Sequence, residues 1–65
     1  MNDLEPRVLI YMRIKEIEED IARNKKLLYA AHTKDIRKMY EDRIARLESL
    51  KQINQAIFYQ TTGVQ

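Results

Sequence analysis

Apolar residues return along this chain at helical intervals. Ile10, Ile14, Ile17, Ile21, Asn24, Leu28 and Ala31 are separated by alternating steps of four and three residues, and only Asn24 among them is polar. That is the a/d spacing of a heptad seam. At about 100° per residue the four isoleucines and Leu28 fall within about 60° of arc, a narrow stripe on one side of a helix. Asp3 reads as its N-cap, with Glu5 in the first turn and Pro6 where a missing N–H costs nothing. The spacing predicts a helix over about residues 4–30. Lys15 with Glu19, and Glu19 with Arg23, are i,i+4 pairs that support its outer face.

A second stripe follows. Ile36, Tyr40, Ile44, Leu47, Leu50, Ile53 and Ile57, widened by Met39 and Phe58, predict a helix over about residues 34–60. Arg37 with Glu41, Lys38 with Asp42 and Asp42 with Arg46 line its outer side. Gln60-Thr61-Thr62-Gly63 closes it with glycine just past the last turn, leaving a short flexible tail over 61–65.

The two stripes do not form one straight rod. Carried past Ala31 in strict heptads, the first seam puts Asp35, Lys38, Asp42, Ser49 and Gln52 in the core, so a continuous helix survives only with a stutter at His32. A turn over about residues 31–34 serves better, although it lacks glycine, because Thr33 suits an N-cap with Asp35 in the turn after it. Folding back at residue 32 sets Leu28 opposite Ile36, Asn24 opposite Tyr40, Ile21 opposite Ile44, Ile17 opposite Leu47, Ile14 opposite Leu50, and positions 10 and 7 opposite Ile53 and Ile57. In that register the Tyr40 hydroxyl is in place to take the Asn24 amide hydrogen. The expected fold is all-α, with residues 1–65 forming a single antiparallel two-helix hairpin.

One hairpin leaves much of each stripe wet. Chains below about 70–80 residues seldom hold more than a few kcal/mol without a staple. This one has 65 residues and no cysteine, so association supplies what a disulfide does not. Two hairpins face to face make a four-helix bundle, and a C2 homodimer is the expected assembly. Asn24, polar within the seam, either fixes register and partner number or lies at the seam edge and meets water.

Composition narrows the functional classes. Charged residues make up 34% and the formal net charge is only +2; there is one His and one Gly. No disulfide framework, zinc site or phosphate-cradling glycine loop fits, so no cofactor and no metal is expected. Glu16 and Asp20 share a helix face, but a di-iron bundle needs Glu-x-x-His, and Tyr29 stands three residues before His32. No nucleophile partners His32, and an enzyme is not expected. Apolar runs such as Val8 to Met12 and Ala56 to Tyr59 fall far short of a membrane span. Asp3 and Glu5 stand where a secretory signal carries positive charge. The expected setting is the cytoplasm of a bacterial, archaeal or virus-infected cell, with no membrane partner.

Two surface regions remain. At the open end of the hairpin, Val8, Met12, Phe58 and Tyr59 exceed what one helix face buries and are the candidate protein-binding residues. At the turn end, Arg23, Lys25, Lys26, Lys34, Arg37 and Lys38 stand against Asp35 alone, a candidate phosphate-binding cluster. The primary expectation is a small regulatory protein of adaptor or inhibitor type that binds another protein, of a size that phages and plasmids encode. The alternatives are a dimeric hairpin binding RNA or DNA through its basic turn, and a structural assembly subunit.

Overall fold

The computed structural model describes residues 5–62. Helix α1 spans Pro6–Ala30 and helix α2 spans Lys34–Thr62. Asp3, the expected N-cap of α1, lies outside the described residues. Glu5 holds the cap position in extended backbone, and its side chain makes no cap hydrogen bond. Its carbonyl accepts from the N–H groups of Val8 and Leu9, at 3.0 and 3.2 Å. Pro6 at the first helical position loses nothing by lacking a donor.

The chain reverses over residues 31–33 without glycine. Ala31 turns extended at ψ 137° while its N–H donates to the Leu28 carbonyl. No non-glycine residue among those described has positive φ, so this reversal never enters the region that favours glycine. Thr33 caps α2 as its sequence position predicts. Its Oγ1 accepts from the Ile36 N–H at 3.2 Å, and its carbonyl accepts from the Arg37 N–H at 3.0 Å. Beyond the expected end at Gln60, α2 continues through Thr62, and Gly63 lies outside the described residues.

The helices pack antiparallel around Ile17, Ile21 and Ile44, with Leu28 and Leu47 against that cluster. On α1 every seam position from Ile10 to Ala31 is buried or half-buried, as the heptad spacing requires. The α2 seam differs from the expectation at its start, where Ile36 and Met39 are 43% and 44% exposed, and beyond Leu47. Leu50, Ile53 and Ile57 are 40%, 55% and 40% exposed, whereas Tyr40, Ile44, Leu47, Lys51, Asn54 and Phe58 are buried or half-buried. Alternating steps of four and three hold those six on one side of the helix. The three-residue steps from Leu47 to Leu50 and Ile53 each turn the stripe back by about 60°, off the seam.

Register moves with it. The two matched series set Ile10 level with Phe58, Ile14 with Asn54, Ile17 with Lys51, Ile21 with Leu47, Asn24 with Ile44 and Leu28 with Tyr40. That is about one helical turn further along α2 than the expected pairing. Two contacts across the hairpin carry this register. The rings of Tyr11 and Phe58 lie 6.4 Å apart, and Lys51 Nζ is 3.2 Å from Glu18 Oε2. Lys51 lays its aliphatic stem along the seam and carries its charge out to Glu18. Asn24 does not bond with Tyr40. Its Nδ2 donates to the Asp20 carbonyl one turn earlier, at 2.8 Å, and Oδ1 is buried with no partner among the described residues.

The result is a slab of 48 × 24 × 12 Å. Its thin dimension matches the roughly 10–12 Å diameter of one helix, so the molecule has one layer where stable domains have two.

Candidate functional site

The slab has two broad faces, and shallow grooves mark one of them. At the open end, Val8 and Tyr11 of α1 and Phe58 of α2 enclose a groove beside Arg7. A continuation of it runs past Ile14 and Glu18 to Gln55 and Tyr59. The floor is a chain of aromatic rings: Tyr11 meets Phe58, and Phe58 meets Tyr59 edge-on at 5.9 Å and 73°. Such pairs hold rings rigid at low entropic cost, which suits them to recognition. Lys15 Nζ stands 5.9 Å from the centre of the Tyr11 ring, and it also approaches Glu18 Oε1 at 3.6 Å. The open end thus offers an apolar channel with a cation and a carboxylate at its rim.

Three of the four expected open-end residues meet at this channel. Val8, Phe58 and Tyr59 line its two stretches. Met12 is 49% exposed but is not among the lining residues; at about 100° per residue it falls toward the back of α1. Tyr11 is the member that the pattern of core positions conceals, because it belongs to neither heptad position. The signal for it is its place four residues before Lys15 and three before Ile14, which puts it on the flank facing α2.

Nearer the turn, a second groove lies between Lys25, Leu28 and Tyr29 of α1 and Glu41, Ile44 and Glu48 of α2. Tyr29 is 87% exposed, the most exposed of the large apolar or aromatic residues described. The two glutamates opposite Lys25 make this groove mixed in charge.

Two of the basic residues of the turn end are engaged in ion pairs within their own helices. Arg23, Lys25, Lys26, Lys34, Arg37 and Lys38 are all exposed; helical geometry puts Lys25, Lys34 and Arg37 on the grooved side, Lys26 and Lys38 toward the outer edges and Arg23 on the other side. Arg23 is bonded to Asp20 rather than to Glu19, and Lys38 pairs with Asp42 at 3.7 Å. Lys15 likewise chooses Glu18 over Glu19. His32 lies exposed in the turn. Among the described residues no three His, Asp or Glu side chains come together as metal ligands would. Neither described helix is long and apolar enough to cross a membrane.

Among the described residues, Glu18 is the group whose proton affinity is clearly shifted. The hydrogen bond from Lys51 holds its carboxyl below the usual 4.5; partial desolvation opposes this, and the charges of Lys51 and Lys15 add to it.

The chain matches no protein-family model, no curated protein and no solved structure. The functional reading therefore rests on its own residues.

Proposed function

We propose that this chain is a non-enzymatic interaction protein that pairs with a second copy as a four-helix bundle and binds another protein through the Tyr11–Phe58–Tyr59 channel. The observation that carries this reading is the mismatch between apolar residues and burial. Among the described residues four hydrophobic side chains are buried, while Leu9, Leu27, Met39, Leu50 and Ile57 are among those exposed on a single-layer slab. A second layer covers them. The aromatic channel then remains at the open end as a preformed site for an apolar side chain or short helix.

The work expected of such a molecule is that of an adaptor or inhibitor: holding or blocking another protein without chemistry of its own. The test immobilises the protein and quantifies what native extract it retains. Tyr11→Ala, at an exposed position, loses the retained protein while helix content and oligomeric state stay unchanged, whereas Lys25→Ala with Lys26→Ala retains it. The opposite pattern, with RNA or DNA retained and released between about 50 and 200 mM salt, assigns the activity to the basic turn instead. Large homo-oligomers in light scattering assign it to an assembly subunit.

A further inference from the structure

The face opposite the grooves has an organisation of its own. On α1, Leu9, Arg13, Glu16, Asp20 and Leu27 fall about 60–120° around from the seam, on the side away from Tyr11, Glu18, Lys25 and Tyr29. On α2, Met39, Arg43, Arg46, Leu50 and Ile57 fall about 60–120° around, on the side away from Glu41, Glu48 and Tyr59. In an antiparallel pair these two flanks join into one surface. Along its length it is apolar at both ends and charged in the middle: α1 brings the carboxylates Glu16 and Asp20, with Arg13 beside them and Arg23 paired to Asp20, and α2 brings only the cations Arg43 and Arg46. Glu16 and Arg46 have no ion-pair partner among the described residues, and Arg43 is drawn over the Tyr40 ring at 5.7 Å.

We infer that this face is the homodimer interface and that its two-fold axis runs parallel to the helices, so that α1 of each copy lies on α2 of the other and both turns emerge at the same end. The inference rests on the self-association proposed above and adds the face and the orientation.

Symmetry makes the choice between two arrangements. An axis parallel to the helices keeps every residue at its own level. Leu9 then lies within about 3 Å of the level of Ile57 of the other copy, Leu27 of Met39, and Asp20 of Arg46, with Glu16 and Arg43 a turn or so to either side. Unlike charges oppose and apolar ends coincide. An axis across the helices instead lays α1 on α1 and α2 on α2, head to tail. Centred on the face, it brings Leu9 onto Leu27 of the other copy but stacks Glu16 against Asp20, Arg13 against Arg23 and Arg43 against Ile57. Like charges directly opposed cost binding energy and exclude that partner. The area suffices: a face of 48 by 24 Å exceeds the roughly 800 Å² that each partner contributes to a standard interface. In the favoured arrangement both aromatic channels stay uncovered, at the same end of the dimer.

A single labelling position distinguishes the outcomes. The chain has no cysteine, and His32 is exposed in the turn, so His32→Cys carries one nitroxide without touching either face. Sedimentation is expected to give twice the 7.8 kDa chain mass, and pulsed dipolar spectroscopy a label separation of about 20–25 Å, two interhelix spacings plus the label arms. A dimer whose labels sit near the 48 Å slab length apart overturns the orientation and leaves self-association standing. A helical monomer, or an open-ended oligomer, overturns both.

Discussion

Glu18 of α1 and Lys51 of α2 meet across the hairpin, Oε2 to Nζ at 3.2 Å, at a level where the seam would otherwise hold an apolar pair. With a side chain 38% exposed, Glu18 sits at the edge of that seam. Its carboxyl takes the Lys51 hydrogen bond and is held below 4.5. The folded-state value is thus lower than the unfolded one, so the contribution is complete above about pH 4.5 and disappears as pH falls through the lowered value. Thermal melts of wild type and Glu18→Gln from pH 7 to pH 3 are expected to differ at neutral pH and to converge on acidification. A constant gap across that range assigns the effect to packing instead of charge.

Core and outer apolar positions should separate cleanly. Ile17→Ala is expected to cost about 2–5 kcal/mol, comparable to the whole stability of so small a chain, and to abolish the helical circular-dichroism signal at 25 °C. Ile53→Ala, at a site 55% exposed, should leave helix content intact. Equal losses from the two variants contradict the α2 seam described above.

Asn24 is buried with one amide hydrogen bond made and its oxygen unpaired. An unsatisfied buried acceptor costs about 1–3 kcal/mol, so Asn24→Leu is expected to raise the urea midpoint. The same change removes the one polar position of the α1 seam, and mixed association states in sedimentation are the expected accompaniment. A lowered midpoint shows that the oxygen has a partner in solution.

Thr33→Ala removes the Oγ1 that accepts the Ile36 N–H. The expected loss is about 0.5–2 kcal/mol, read as a lower melting temperature, with Thr33→Ser close to wild type. An unchanged Thr33→Ala melt means the α2 start frays in solution.

Much of this fold is legible in the sequence. The α1 seam, the Thr33 cap and the reversal near residue 32 follow from spacing and cap chemistry alone, because each depends on neighbours within one helical turn. The α2 seam is harder to read. Hydrophobicity alone points to Leu50, Ile53 and Ile57, but an antiparallel neighbour selects the series that keeps in step with its own four-three rhythm. That series passes through Lys51 and Asn54, whose polar ends obscure it. Likewise Tyr11 reads as an ordinary flank residue until the register brings Phe58 beside it. Val8 and Tyr59 are visible from crowding at the open end, whereas the separation of Met12 from them is a matter of helical phase.

The short reversal over residues 31–33 gives the molecule a front and a rear. Glu5 and Thr62 sit at the same end as the Phe58 ring, so a purification tag or fluorescent protein fused to either terminus hangs beside the aromatic channel and competes for it. A marker inserted at His32 emerges at the far end of the 48 Å slab. For imaging or surface attachment, the loop is the handle that leaves the end proposed for partner binding unobstructed.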